Sequence, residues 1–470
     1  MNRSTLISGV RPRALRALVA ATVLSLTASI ASAMNIERVV SPGGIELWLV
    51  HDSAVPVIAV EFSVRGSADQ DPVDKPGVAH LAASLLDEGA GPLDANAFHD
   101  RLERKAIELS FRAGRDYLRG TLRTLAENRD EAFDYLRLAI TEARFDPPDV
   151  ERIRSQVMSQ LQRETTNPND IASRNWWATA FPGHPYGRPA AGTLDSLPRI
   201  TVDDLKAYTR RVLARDHLKI AVVGDIDAAT AGKLIDRTFG TLPAKAELTP
   251  VPPIAPQGLG RRIVIGLDVP QTVVNFGTPG VSRSDPDFMA AYILNHILGG
   301  GSFSSRLYRE VREKRGLVYG ISDSLLWLQE TSLMIGSTAT RADATAETIG
   351  IIEQEVERLA KEGPSEEECL KAKTYLKGSY ALGLDTSNRI AAQLVQLQTD
   401  NLGIDYIERR GALIDAVSLD DVKRAAKRLL DQGMLVTVVG RPHGLTSTDG
   451  GVANAPGQSG NVPSASARER

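Results

Sequence analysis

Apolar residues recur along this chain with two different periods. Short β-branched runs such as "VIAVEFSVRG" (Val57 to Gly66) and "TVVNFGTPG" (Thr272 to Gly280) are bounded by turn-forming residues and predict strands. Longer stretches repeat apolar residues every three or four positions. "RDEAFDYLRLAITEARFDPPDVERIRSQVMSQLQRE" (Arg129 to Glu164) and "ADATAETIGIIEQEVERLAKEGPSEEECLKAKTYLKGSYAL" (Ala342 to Leu382) each predict a pair of amphipathic helices.

These elements come in an order that repeats. "ITVDDLKAYTRRVLARDHLKIAVVGD" (Ile200 to Asp225) matches "VSLDDVKRAAKRLLDQGMLVTVVGR" (Val417 to Arg441), with one residue fewer in the turn. In both, a Thr or Ser before a double Asp caps a helix, and a short strand then ends at Gly224 or Gly440. Earlier, each strand leads through an Asp-Pro turn to a helix ending in glycines, "LLDEGAG" or "HILGGG". An ordered series of matches reads as duplication. The Pro-rich stretch Leu248 to Gly260 breaks both kinds of element and reads as an extended linker. The predicted class is therefore α+β, with homologous halves at residues 34–247 and 261–445 joined by residues 248–260.

The ends differ from the rest. Arg3, Arg11, Arg13 and Arg16 precede an apolar run from Ala17 to Ile30, and "ASA" ends at Ala33. That predicts a cleaved secretory signal over residues 1–33 and a periplasmic protein. The run of 14 residues is short of the roughly 20 that span a bilayer, so no stable membrane insertion is expected. Residues 446–470 are rich in Gly, Ser, Ala and Pro and predict a disordered tail. Net charge is only −3 and aromatics are 5%, which argues against nucleic acid or a base-stacking surface. Cys369 is the only cysteine, so an intrachain disulfide and a cysteine-ligated metal are both excluded.

The chemistry turns on "GVAHLAASLLDEG", Gly77 to Gly89. A helix bearing His, Glu three residues on and His one residue later would set all three on one face, two imidazoles for Zn²⁺ and a carboxylate for its water. Here His80 is followed at those places by Ala83 and Ser84. With "HPYGRPAAGTLDSLPRIT" (His184 to Thr201) and "GGGSFSSRLYREVREKRGLVYG" (Gly299 to Gly320), the chain resembles the pitrilysin–insulinase family of inverted zinc peptidases, nearest its bacterial and mitochondrial processing-peptidase branch. The resemblance covers nearly all of residues 34–445. It implies two halves, each a mainly antiparallel sheet covered by helices.

It also implies a later helix carrying a Glu as third zinc ligand. The matching "VMSQL" (Val157 to Leu161) places Gln160 there, and no acid lies between Glu151 and Glu164. A set of His80, Ser84 and Gln160 is a poor zinc site, and without a Glu at Ala83 the general base is gone. Asp87 would stand about 10 Å further along the same helix, too far to share an ion with His80. No metal is expected in this chain; zinc is expected in a partner.

In the second half, "REKRGLVYG" sets Arg315 four residues before Tyr319. On spacing alone Arg315 is a surface charge and Tyr319 opens a strand. The resemblance implies more: in two-chain members such a pair on the non-catalytic subunit faces the partner's zinc and grips peptide carbonyls. Gly299, Gly300 and Gly301 lack the Lys-Ser/Thr of a phosphate loop. They resemble the glycine-rich loop of that subunit, which implies mobile backbone at a substrate entrance; a plain helix-ending turn is the other reading. His184 and Tyr186 are read as fixing a local turn.

The function so implied is a non-catalytic subunit of a periplasmic zinc peptidase heterodimer that encloses unfolded peptides, with a catalytic insulinase-family partner. The alternatives are a self-paired peptide-binding scaffold and a zinc endopeptidase with unusual ligands.

Overall fold

The computed structural model describes residues 34–448 and 453–454. The expected signal, residues 1–33, and most of the expected tail lie outside them. The first half builds one sheet from β1 (Glu37–Val40), β2 (Glu46–His51), β3 (Val57–Arg65), β4 (Glu108–Ala113), β5 (Tyr117–Leu125) and β6 (Lys219–Gly224), in the order β1-β2-β6-β3-β5-β4. The second builds another from β7 (Arg262–Gly266), β8 (Thr272–Pro279), β9 (Val318–Trp327), β10 (Ser332–Thr340), β11 (Leu435–Gly440) and β12 (Ala453–Asn454), in the order β12-β7-β11-β8-β10-β9. Most neighbours are antiparallel. The repeated segments supply the strand inserted at the centre of each sheet: β6 lies parallel to β2 and β11 parallel to β7. Each follows a helix closed by a capping box, Thr201 with Asp204 and Ser418 with Asp421.

One face of each sheet is covered by helices of its own half. Ile58, Val60, Phe62 and Val64 of β3 meet Phe98, Phe133, Leu136 and Leu205 in the first core. Val274, Phe276, Val436 and Val438 meet Ile352, Val356, Val422 and Leu429 in the second. The opposite faces are covered by exchange. The helix Pro168–Ala180 leaves the first half and lies across β8 and β11, and the helix Ser387–Thr399 leaves the second half and lies across β3 and β6. Trp176 is fully buried there and donates from Nε1 to the Leu435 carbonyl at 3.0 Å. Gln398 does the reciprocal job, donating to the Ile220 carbonyl at 2.9 Å. Gly277 is needed at this crossing, because a Cβ on it would fall 2.5 Å from the Trp176 ring.

A second set of contacts latches the halves. The β9–β10 turn presents the Gln329 amide to Asp116 Oδ2 at 3.0 Å and the Glu330 amide to the Tyr186 hydroxyl at 3.1 Å. The Glu330 carboxylate meets Arg65 at 2.9 Å. Residues 248–260 form no helix or strand, and they are pinned: Thr249 exchanges hydrogen bonds with the Gln70 side chain, and the Ile254 amide donates to the Glu330 carbonyl. The stretch expected to be disordered begins with ordered residues. Ser447 and Thr448 accept from the Val264 and Arg262 amides along β7, and Ala453–Asn454 pairs parallel to it. Residues with little to bury are held there because β7 would otherwise present an unpaired edge.

Glu61 sits on the face of β3 that the exchanged helix covers and is only 7% exposed. Burial pushes its carboxyl up to about 7, against weaker pull from Arg119 and Arg112. The folded state thus holds a proton that the unfolded chain releases, and stability is lost as pH rises from about 4.5 to about 7. Glu61→Gln, which mimics the protonated form, is expected to raise the unfolding midpoint at pH 8 by an increment that shrinks as pH falls and vanishes below the unfolded value of about 4.5. The gain at pH 8 is bounded at about 3 kcal/mol, and calorimetric scans of both proteins across that range check it.

Candidate functional site

The segment carrying His80 is shorter and more enclosed than its sequence implies. Its regular helix runs only over Val78–Ala83, six residues. Asp71 builds the entry, accepting from the Gly77 amide at 2.7 Å and the Ala79 amide at 2.8 Å. After Ala83 the bonds tighten from four residues to three, as in Leu85 N–H to the Ala82 carbonyl. Asp87 therefore does not continue the helix face of His80, which corrects the placement expected from periodicity.

Each expected ligand position has a definite environment. His80 is half-buried, and burial holds its imidazole below the usual range, with the nearby Glu164 charge opposing. Ala83 is 2% exposed and packs in the core. The Ser84 hydroxyl donates to the His80 carbonyl at 2.9 Å, closing the helix end. Gln160 lies on the helix Pro147–Glu164 and donates its amide to Glu164 Oε1 at 3.0 Å. The two helices do pack together, so His80, Ser84 and the Gln160–Glu164 turn belong to one place. The donors there are one imidazole, one carboxylate already bonded to an amide, and a hydroxyl turned to backbone. They do not fit Zn²⁺, which takes three imidazole, thiolate or carboxylate ligands at a catalytic site. Among the described residues no three His, Cys, Asp or Glu side chains gather closely enough to hold one ion. Glu164 escaped the sequence reading; its position one turn beyond Gln160 was the available signal.

In the second half the matching helix, Phe288–Asn295, widens into a π turn over His296–Gly300. The glycines there have no positive φ; close approach explains them. A Cβ on Gly299 would stand 2.8 Å from the Asp323 amide, and one on Gly301 would stand 2.6 Å from the His296 carbonyl. Asp323 is buried in β9 and accepts from Asn295 Nδ2 at 2.7 Å, and that burial pushes its carboxyl well above the usual carboxylate range. Beside this loop is a cavity of about 660 Å³ with His296, Phe303, Arg309, Glu368 and Tyr375 in its wall. Sequence reasoning missed it, because its two sides lie about 70 residues apart.

Arg315 follows a second π turn, Tyr308–Glu313. Its Nη1 donates to the Glu310 carbonyl at 2.7 Å and to Glu310 Oε2 at 3.1 Å. Burial raises the Glu310 carboxyl, but hydrogen bonds from Lys314 and Arg315 outweigh it and hold the group ionised. Beyond Gly316, at φ +61°, Tyr319 is the second residue of β9 and is 94% exposed. Both π turns pack on β9, so the glycine loop, Arg315 and Tyr319 share one edge of the molecule. His184 and Tyr186 do fix a turn: His184 Nδ1 accepts from the Tyr186 amide at 3.2 Å, which leaves Nε2 to donate to the Pro252 carbonyl at 3.0 Å.

With this geometry established, comparison with known proteins is specific. Residues 49–194 match the family model Insulinase (Peptidase family M16), and residues 199–376 match the model Peptidase M16 inactive domain. The chain is 26% identical over 420 residues to an uncharacterized zinc protease of Streptomyces coelicolor, covering 86% of this chain and 90% of that one. It is 25% identical over 333 residues to the non-peptidase homolog YmxG of Helicobacter pylori, covering 71% and 77%. A solved peptidase M16 inactive domain from Pseudomonas fluorescens superposes with a TM-score of 0.81 at 27% identity, covering 88% of this chain and 99% of that one.

The donor set makes a metal prediction. After dialysis against metal-free buffer the chain is expected to retain well under one zinc per molecule. Ser84→His combined with Gln160→Glu, which adds an imidazole and a carboxylate beside His80, is expected to raise retention towards one. Elemental analysis of both proteins checks this.

Proposed function

Starting from a chain that belongs to the insulinase family, peptidase family M16, we propose that it is a pseudo-peptidase acting as the non-catalytic subunit of a heterodimeric zinc peptidase. The observation that carries the reading is the donor set around His80, where Ala83, Ser84 and Gln160 stand at positions needed for a base and two ligands. Loss of a general base alone costs about 10²–10⁴ in rate, and loss of the ion removes the activated water as well. A partner with an intact His-x-x-Glu-His motif would supply both. This chain would supply half of the enclosure.

Peptide would lie extended along β9. That strand is at the rim of its sheet, paired among the described residues only to β10, so its outer edge would be open to strand addition. Backbone pairing gives broad sequence preference and excludes folded substrates. Tyr319 would donate from its hydroxyl to a peptide carbonyl. Arg315 would do so from the guanidinium N–H groups that Glu310 does not take. We place the complex in the periplasm on the strength of the basic and apolar run that precedes Met34.

The test is hydrolysis of an unfolded peptide by this chain, by a catalytic partner, and by the two mixed, with zinc content measured in each. Activity is expected only, or at least tenfold more, in the mixture. Arg315→Ala or Tyr319→Phe is expected to lower kcat/KM of the mixture by about tenfold, the loss of one or two hydrogen bonds to bound peptide. Zinc-dependent hydrolysis by this chain alone would overturn the proposal. Failure of the two chains to associate would favour a self-paired scaffold.

A further inference from the structure

Away from the His80 segment and the glycine loop, a smaller cavity of about 190 Å³ lies where the exchanged helix Ser387–Thr399 meets the second half. Arg410, on the helix Tyr406–Ala416, reaches its wall and is only 5% exposed. Its Nη1 donates to the Leu376 carbonyl at 2.8 Å, and the Tyr406 hydroxyl also stands close to its guanidinium. Its guanidinium lies 4.2 Å from the Tyr380 ring centroid and 5.6 Å from that of Tyr292. No carboxylate among the described residues pairs with it. A buried charge held by neutral groups alone, a carbonyl, a phenol and ring faces, is costly, and an anion beside it would offset much of that cost. The Tyr380 hydroxyl, also in this wall, is buried without a hydrogen-bond partner among the described residues.

The rest of the lining says what kind of anion fits. Arg283 stacks 4.0 Å from the Phe288 ring, and its Nε is 3.9 Å from Asp400 Oδ2. Asp400 Oδ1 is taken by Trp327 Nε1 at 3.1 Å and Gln396 Nε2 at 2.9 Å. Within the lining itself two guanidiniums against one carboxylate leave a single positive charge, with Arg119 just outside it, bonded to Gln396 Oε1. That balances a monovalent anion; a doubly charged phosphate would be left in excess beside Asp400. The remaining walls, Phe288, Met289, Leu397 and Leu402 among them, are apolar. The volume is about six times the roughly 30 Å³ that one water occupies in the liquid.

We propose that this cavity binds a monocarboxylate with a short apolar body, its oxygens accepting from Arg410 and from the Tyr380 hydroxyl and its carbon chain resting on the apolar wall. Such a group is the free C-terminal end of a peptide with an apolar last residue, or a small organic acid of the same shape. The site does not depend on the peptidase-subunit reading, and it is tested on this chain alone.

The experiment is isothermal titration of the full chain with N-acetylleucine, with N-acetylleucinamide, and with a tripeptide ending in leucine as free acid and as C-terminal amide. Each acid is expected to bind at least tenfold more tightly than its amide, because the charge-assisted bonds to Arg410 are lost with the carboxylate. Tyr380→Phe, which removes only a hydroxyl, is expected to weaken the acids about three- to tenfold. Arg410→Met is expected to abolish the preference for acid over amide; circular dichroism reports whether it folds, and Tyr380→Phe carries the test if it does not. A tripeptide acid that outbinds N-acetylleucine identifies a peptide end, and equal binding identifies small acids. Acid and amide binding alike, no binding by either acid, or unchanged affinity in Tyr380→Phe would overturn the site.

Discussion

Everything else in this molecule depends on the reciprocal exchange of one helix between its halves. A sheet with apolar side chains on both faces cannot stay soluble with one face open. Each half supplies helices for only one face of its sheet. The other is closed by Pro168–Ala180 reaching across to β8 and β11, and by Ser387–Thr399 reaching back to β3 and β6. Neither half is therefore a complete domain without the other. Truncating a fully buried aromatic at such a crossing, as at Trp176, typically costs about 3–5 kcal/mol, a large part of a protein's whole stability.

That closure gives the pseudo-peptidase its frame. With both sheets held rigidly, the segment bearing His80 is enclosed by its own core, and the β9 edge remains as the exposed strand beside Arg315 and Tyr319. Loss of the ligand positions carries little structural penalty. Ala83 packs as an apolar residue, Ser84 ends its helix by bonding to the His80 carbonyl, and Gln160 bonds to Glu164 along its own helix. Each of these three residues is satisfied locally, by packing or by a hydrogen bond.

The exchange also creates interior surface that belongs to neither half. The cavity beside Arg410 and the buried Glu61 both lie where the Ser387–Thr399 helix crosses. At the other crossing the position matching Glu61 is the neutral Asn275, Thr437 donates to the Ala172 carbonyl, and Trp176 packs against Gly277. Duplication produced two similar frames, and later divergence made their crossings chemically different.

Much of this was legible in the residues. Period-two and period-3.6 patterns, the capped Thr201 and Ser418 helices and the central strands after them gave the α+β class and the duplication, because local hydrogen bonding and burial dictate those patterns. The missing zinc donors at Ala83, Ser84 and Gln160 were equally plain, since side-chain identity alone decides whether an atom can bind metal. The early end of the His80 helix, the packing of Gly299 and Gly301 against Asp323 and His296, and the pairing of Arg315 with Glu310 were not. They depend on atoms that meet through folding rather than through neighbouring positions. The sequence by itself determined which segments are helices and strands and which donor atoms the His80 segment carries; only the tertiary structure decided which helix covers which sheet. Any amphipathic helix satisfies an apolar face, and geometry across the whole chain selects among them.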